Sequence, residues 1–388
     1  MGVSNILISL PLEVKKIIEA LNSRGYAAYA VGGCVRDMIM GNIPNDFDIT
    51  TSALPENIID VFESLGIRTI PTGIKHGTVS VYTSGKIYEI TTFRTDGDYK
   101  DSRHPESVSF TDKLSDDLVR RDFTINAMAA DIDGKLYDLY GGVDDINIKI
   151  IRCVGDPEKR FSEYALRILR GVRFSSRLSF EIENDTFCAA KALGYKLENI
   201  SVERKISELS GILLSSSANA GIKAIFELGI ENYIIEGLKY PVIDIDICPE
   251  SFECRMAALL YGSENIDLSS LKLSNQQKND ISKLLQKPSF EHSEIFARKL
   301  LRDYKHLAID VCLLYGRNDV ADLVREQTEK NACTSISRLA INGNDVIGLE
   351  IDKKNISKAL DFALCKVIEA PEFNQTDFLL EYIKNNFK

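Results

Sequence analysis

The sequence predicts an α/β head followed by an all-helical remainder, and three observations carry that expectation. Up to about residue 150, short β-branched runs alternate with amphipathic stretches. Beyond that point strand signals nearly vanish, and Leu- and Ile-rich amphipathic segments follow one another to the C-terminus. The third is local. Residues 32–50 read GGCVRDMIMGNIPNDFDIT, placing a glycine pair, an arginine and an Asp-Phe-Asp directly after the β-rich run Tyr26 to Val31.

Taken in order, the head opens with a helix over 11–24 and continues with strands over 26–31, 46–50, 77–83, 86–93 and 127–139. The last of these is divided by an Asp133-Gly134 turn. Breaks near 213–218, 240–250, 262–274 and 341–355 separate the later helices. No internal repeat or low-complexity tract interrupts the pattern.

With 388 residues and 44% of them hydrophobic, the chain is expected to be globular and to hold more than one domain. No apolar run reaches membrane-spanning length, and MGVSNILISLPLEVKK lacks the basic start and cleavage site of a signal peptide. Its loose fit to a myristoylation pattern is what so short a motif yields by chance. Eight cysteines are scattered without a C-x-x-C pair, which points to reduced, buried thiols in the cytoplasm rather than a disulfide framework or a zinc site. A net charge of −10 disfavours a nucleic-acid-coating surface. Residues 159–177 run against that balance, with Lys159, Arg160, Arg167, Arg170, Arg173 and Arg177 facing only Glu163, so RNA contact is expected locally.

The carboxylates come first in the chemistry. In an extended strand residues i and i+2 share a face, so Asp46 and Asp48 converge, as a pair of divalent cations requires. Gly32 and Gly33 allow the backbone to approach a ligand, and a helix starting near Cys34 aims free N–H groups at phosphate. Metal, phosphate and arginine together suggest phosphoryl or nucleotidyl transfer, in which two ions sit roughly 3.5–4 Å apart. Glu89, in the strand KIYEITTFR, is the candidate third carboxylate. The plainer alternatives are a polar turn for Asp-Phe-Asp and an ion pair with Arg94 or Lys86 for Glu89.

Two further clusters are ambiguous on spacing alone. Asp116-Asp117-Leu-Val-Arg120-Arg121-Asp122-Phe-Thr-Ile-Asn126 reads either as a capped helix with Asp116–Arg120 and Asp117–Arg121 pairs, or as a ribose and triphosphate clamp. In a continuous helix, residues 163, 167, 170, 173 and 177 fall on one face. That stripe is either a solvated surface or, being nearly all arginine, a site for planar, bidentate recognition of base and phosphate.

These residues resemble a known family. GGCVRDMIMGNIPNDFDIT, EITTFRTDGDYKDSRHPESVSF, RRDFTINAM and GDPEKRFSEYALRILRGVRF, in that order, are similar to the motifs of class II tRNA nucleotidyltransferases, the CCA-adding enzymes and their bacterial poly(A) polymerase relatives. The resemblance is dense over 25–180 and continues weakly in LAINGNDVI at 339–347. It implies a polymerase-β-like nucleotidyltransferase head over 1–150, a helical neck with a nucleotide-selecting helix over 151–215, a body over 216–300 and a tRNA-binding tail over 301–388. It further implies Mg²⁺ on Asp46 and Asp48, with Glu89 as the third acid. Gly32, Gly33, Arg36, Arg121, Asp122 and Asn126 would meet the nucleotide, and Tyr164, Arg167, Arg170 and Arg173 would line the base and triphosphate site. Residues 95–112 would form a loop that helps to switch between C and A.

The substrates so implied are ATP, CTP and the acceptor arm of tRNA, with no membrane partner. The family selects C and A with an Asp acceptor and an Arg donor three residues later, because both bases present an amine beside a ring-nitrogen acceptor. Here the expected Glu-Asp-x-x-Arg reads Glu163-Tyr164-x-x-Arg167. A phenol accepts more weakly than a carboxylate and also donates, so altered base choice is expected. Competing readings are CC-only or A-only addition, poly(A) synthesis, and a non-catalytic RNA-binding descendant; intact Asp46 and Asp48 argue against the last. A phosphohydrolase site is not expected, since no His-Asp dipeptide occurs and the four histidines are 76, 104, 292 and 306.

Overall fold

A computed structural model describes residues 3–97, 108–349 and 351–387. The chain divides into two compact units, Met1–Glu236 and Gly237–Lys388. The first contains a mixed eight-stranded sheet built from β1 (Val3–Leu7), β2 (Ala28–Val31), β3 (Asp48–Thr51), β4 (Arg68–Gly73), β5 (Thr78–Thr83), β6 (Lys86–Thr92), β9 (Met128–Ala130) and β10 (Lys135–Asp138). A separate ribbon pairs β7 (Arg94–Asp96) with β8 (Val108–Phe110). The sheet order is β1-β10-β9-β2-β3-β6-β5-β4, and every neighbouring pair is antiparallel except β3 and β6.

That one parallel pair needs a crossover, which the chain makes through helix α3 (Pro55–Ser64) and the β4–β5 hairpin. Proline at the first turn sets the start of α3, and Ile58, Val61 and Phe62 give it a buried stripe. The preceding helix α1 (Leu12–Asn22) buries Val14, Ile17, Ile18 and Leu21 at helical spacing. Together these helices cover a core that includes Ile49, Phe62, Val79, Val81, Ile90 and Phe93. Strands expected at 26–31, 46–50, 77–83 and 86–93 are all present with slightly shifted ends, and 127–139 is the expected hairpin.

Short helices complete the head: α2 (Gly33–Ile39), α4 (Leu114–Val119) and α5 (Gly142–Asn147). Helices then take over, with α6 (Pro157–Glu163), α7 (Leu166–Leu178), α8 (Asn184–Leu193), α9 (Val202–Leu213) and α10 (Ala218–Leu228). The helix expected to run unbroken past residue 163 is interrupted: Tyr164 adopts φ −151° and ψ 99° between α6 and α7. Glycine lets α7 come in tight. A Cβ at Gly171 would stand 3.0 Å from the Phe123 ring, and one at Gly211 of α9 would stand 2.4 Å from Arg173 Cδ.

The second unit is helical throughout its described residues, with helices that include Phe252–Leu260, Asn275–Leu284, Glu294–Tyr304, Asn318–Glu329, Ile356–Glu369 and Thr376–Asn386. Ile341, Val346, Ala359, Leu360, Ala363, Val367, Leu379 and Ile383 form its C-terminal core. The compact units part at 236/237, so α10 belongs with the first. The boundary expected at 300/301 falls inside the helix Glu294–Tyr304. Among the described residues no helix is long and apolar enough to cross a membrane.

Candidate active site

The parallel ladder between β3 and β6 aligns the acids. Asp48 is the first residue of β3 and pairs in register with Glu89, followed by Ile49 with Ile90, Thr50 with Thr91 and Thr51 with Thr92. Register partners on adjacent strands share a face, so Asp48, Thr50, Glu89 and Thr91 line one side of the sheet while the isoleucines fill the other. Asp46 lies in the loop just before the strand rather than within it, which corrects the expectation of a strand over 46–50. It is still close enough for its charge to be felt at Asp48. Burial pushes the Asp48 carboxyl above its ordinary value, Arg121 opposes that, and the Asp46 carboxylate adds to it, although the side chain itself still reaches solvent. Asp46 and Glu89 are exposed too, and no ion pair reaches any of the three among the described residues. The Glu89 pairing with Arg94 or Lys86 is not formed; Arg94 instead donates to the His76 carbonyl.

The side expected to meet phosphate is built from Gly32, Gly33 and Arg121. Gly32 adopts φ 81° and ψ −132°, a region closed to other residues, and a Cβ there would lie 3.0 Å from Arg121 Nη1. Gly33 begins α2, so the turn delivers backbone N–H groups next to that guanidinium. Arg121 is tethered through Nη2 to Asp117 (3.1 Å), and its buried Nε has no hydrogen-bond partner among the described residues. Asp117 is fully buried, accepts also from Arg120 (2.6 Å) and Thr50 Oγ1 (3.3 Å), and so locks the arginines to the sheet face that carries Asp48. Burial alone would raise its pKa, but Arg121 and Arg120 overcome that and hold it below the ordinary carboxylate value. The expected Asp116–Arg120 pair is absent. Asp116 accepts from Thr111 Oγ1 instead (2.8 Å), because the deeper Asp117 captures both arginines just past the end of α4.

Four of the expected residues form one hydrogen-bonded chain. Arg36 donates from Nη1 to Asn126 Oδ1 (2.7 Å), Asn126 Nδ2 donates to Asp122 Oδ1 (3.4 Å), and Asp122 Oδ2 accepts twice from Arg170, at 2.8 and 2.6 Å. Arg36 is further clamped by Asp37. Burial works to raise the Asp122 pKa, yet the Arg170 charge and hydrogen bonds prevail, and the carboxyl stays below its usual range. At the centre lies Phe174, with the guanidinium carbons of Arg36, Arg170 and Arg173 at 5.4, 5.5 and 4.6 Å from its ring centroid.

The expected arginine stripe is thus not a solvated face. Arg167 is turned into the protein, donating to the carbonyls of Arg160 and Arg120 (2.9 Å each) and to Glu163 (2.7 Å). Arg173 pairs with Glu208 at 2.6 Å, and only Arg177 is fully exposed. Tyr164 is half-buried, and its hydroxyl accepts from Arg204 of α9. The Asp117–Arg121 pair offered by the spacing is formed, whereas Phe174, Arg204 and Glu208 were not singled out from sequence for these roles. The last two had no signal to give, since they look like ordinary polar positions on an amphipathic helix. The loop expected at 95–112 has residues 98–107, including His104, outside the described part.

The chain matches the family described as "Poly A polymerase head domain" over residues 28–152, and that described as "Probable RNA and SrmB- binding site of polymerase A" over 179–240. Among curated proteins, the CCA-adding enzyme of Staphylococcus epidermidis is 38% identical, over 86% of this chain and 87% of that protein. That of Staphylococcus haemolyticus is 34% identical over 97% and 98%. Among solved structures, the Bacillus stearothermophilus CCA-adding enzyme in complex with CTP superposes with a TM-score of 0.83 at 31% identity, covering 97% of each chain. The Thermotoga maritima CCA-adding enzyme complexed with tRNA shares the fold, with a TM-score of 0.71 at 21% identity over 98% and 97%.

Proposed function

The chain belongs to the CCA-adding enzyme family of tRNA nucleotidyltransferases, and from that premise we propose how its own residues carry out the reaction. It adds CMP and AMP from CTP and ATP to the 3′ end of tRNA without a nucleic-acid template. The tRNA 3′-hydroxyl attacks the α-phosphorus of the incoming nucleotide, one P–O bond forms, and pyrophosphate leaves. The observation that carries this reading is the alignment of Asp48 with Glu89 in the parallel pair of the eight-stranded sheet, with Asp46 just before it and the charge of Arg121 acting on Asp48.

Mg²⁺ fits this corner. Two neighbouring carboxylates repel, and no protein cation forms an ion pair with either among the described residues. Among the described residues no three His, Cys, Asp or Glu side chains are gathered so that they could hold a metal ion by themselves. Mg²⁺ commonly takes one or two carboxylates and completes its shell with water and substrate phosphate. When bound, the ion supplies Lewis-acid activation of the hydroxyl and charge neutralisation at the pyrophosphate.

The protein's part is positional. Asp46 and Asp48 fix where the reacting phosphate is presented, and Glu89 supplies the third acid. The Gly32–Gly33 turn and the unpartnered Arg121 Nε receive the triphosphate. The Arg36–Asn126–Asp122–Arg170 chain holds the ribose and base wall rigid, with Arg173 and Arg167 bracing it. The head, neck, body and tail division follows the same proposal, as does cytoplasmic action. Buried thiols agree with a reducing compartment: burial pushes Cys34 up to about 11 and Cys153 up to about 12, so both stay protonated at neutral pH.

Incubation with Mg²⁺, all four nucleoside triphosphates and tRNA transcripts ending at the discriminator base, at C and at CC tests the reading. Growth of the first by CCA and then arrest is expected. Addition of C alone, or extension of the CC-ended transcript alone, would mean that the reaction is divided between two enzymes. An unlimited adenylate tail would mean poly(A) synthesis. RNA binding with no extension would favour the non-catalytic reading. Tyr164 is the observation that keeps a restricted nucleotide choice in play, because the position lacks a carboxylate.

A further inference from the structure

We propose that the exposed row Arg68, Tyr82 and Ile87 receives the last nucleotides of the RNA acceptor, with the Tyr82 ring as a platform for a base. Arg68 and Lys86 then meet the backbone phosphates. The inference rests on the nucleotidyl-transfer reading above and assigns the place of its second substrate. In the sheet, β3 lies between β2 and β6. The elements expected to meet the triphosphate lie toward β2. Gly32 and Gly33 follow that strand directly, and Arg121, Asp122 and Asn126 precede β9, which pairs with β2 on the side away from β3. Asp117, which holds Arg121, reaches Thr50, two residues beyond Asp48 along β3.

The row lies on the other side of the acids in both directions. Ile87 precedes Glu89 by two residues on β6 and so shares its face. Tyr82 of β5 is the register partner of Ile87, and Arg68 of β4 is the register partner of Tyr82. The Asp48–Glu89 pair therefore stands between the two groups of residues. In an in-line displacement the attacking and leaving oxygens lie on opposite sides of the phosphorus. With pyrophosphate toward Gly32 and Arg121, the acceptor hydroxyl arrives over β6 and β5.

The row also has the chemistry of a single-strand site. Tyr82 is 46% and Ile87 59% exposed, a large apolar surface to leave bare on two strands interior to the sheet. A cavity of about 700 Å³ runs beside them, from Asn45, Asp46 and Phe47 to Tyr82, Lys86 and Ile87, and so reaches one of the acids. Arg68 and Lys86 are exposed and make no ion pair among the described residues, which leaves their charge to complement phosphate. An aromatic face flanked by cations binds a strand without reading its bases. An acceptor site needs that tolerance, because the terminal nucleotide changes with each addition.

Two experiments on the full-length protein test this, both with a tRNA transcript ending in CC, Mg²⁺ and ATP. First, p-benzoylphenylalanine is placed at position 82 and photocrosslinked to the bound transcript. Crosslinks confined to the last few nucleotides are expected; crosslinks only elsewhere in the tRNA, or none while the RNA is bound, would overturn the inference. Second, steady-state extension separates the two substrates. Tyr82→Ala should raise KM for the transcript about tenfold, the scale of one lost stacking contact, with KM for ATP within about twofold of the parent. Tyr82→Phe, which keeps the ring, should restore most of the affinity. Arg68→Gln and Lys86→Gln should each lower the salt dependence of transcript binding by about one counterion. An unchanged KM for the transcript in Tyr82→Ala, or an equal rise for ATP, would overturn the assignment. Crosslinking to the 3′ end by a chain that extends no transcript would leave this inference standing and overturn the proposed reaction instead.

Discussion

The carboxylate corner and the arginine wall, both assigned to the nucleotide by the proposed reaction, are built on opposite terms. Asp46, Asp48 and Glu89 are exposed and make no ion pair among the described residues; strand register sets Asp48 beside Glu89, and Asp46 lies in the loop just before β3. Arg36, Arg167, Arg170 and Arg173 are each bound to acids, amides or carbonyls of the protein. The difference follows from what each side meets. A divalent cation has to find open oxygens, whereas a base and triphosphate have to find donors already oriented. The corner therefore carries function at little structural cost, and the wall carries structure as well as function.

Breaking the corner should give the largest effect on chemistry and almost none on the fold. Asp48→Asn is expected to lower single-turnover extension by ~1,000-fold or more, with thermal unfolding nearly unchanged, because several kcal/mol of metal-borne transition-state stabilisation is lost. A marked fall in melting temperature alongside would show that Asp48 is structural after all. The wall predicts the reverse. Arg167→Ala should cost about 2 kcal/mol of stability, since it removes the side-chain donor from the Arg120 and Arg160 carbonyls and one of the two arginines paired with Glu163. Chemical denaturation measures this, and an unchanged midpoint would place Arg167 outside the wall.

Acid should separate the two regions by pH. Asp48 titrates above the ordinary carboxylate range, through burial and the Asp46 charge against the pull of Arg121, so cation affinity should fall early as pH drops through that raised value. Asp46→Asn should move this limb to lower pH by removing the like charge. Asp122 titrates below the ordinary range. Its contribution to stability is present above the unfolded carboxylate value and lost only as pH falls through its depressed folded one. Mg²⁺ titrations and denaturation curves over the same pH series should therefore part, with metal binding lost before the fold. Coincident losses would contradict the assignment. The smallest effect is expected at Arg177→Ala. Its exposed side chain should change stability by no more than about 0.5 kcal/mol and leave nucleotide affinity unaltered.

This contrast also sorts what was legible in the sequence. The strands that carry Asp48 and Glu89 were readable from their alternation, but the i, i+2 argument that put Asp46 and Asp48 on one strand face was not met, because Asp46 lies in the loop before β3. The strand and helix order of the head was readable from the same alternation. The wall was only half readable. Its arginines were visible as a stripe, but their partners come from elsewhere in the chain: Asp122 lies 48 residues from Arg170, and Glu208 lies 35 residues from Arg173. Helical spacing cannot reveal such pairs. The break at Tyr164 was hidden too, since Glu163 and Arg167 pair across it at the i,i+4 spacing of an unbroken helix.

The ladder between β3 and β6 has a consequence for how the molecule acquires competence at all. The two strands are joined through a crossover and have to find one another at a single offset. A slip of one residue would turn Glu89 away from Asp48 and at the same moment carry Ile90 out of the interior. Mispairing is thus penalised by exposed hydrocarbon rather than by any property of the acids, which by themselves repel. The apolar residues proofread an alignment that the carboxylates do not enforce, and a chain that has finished burying Ile49 and Ile90 has, without further adjustment, brought Asp48 and Glu89 side by side.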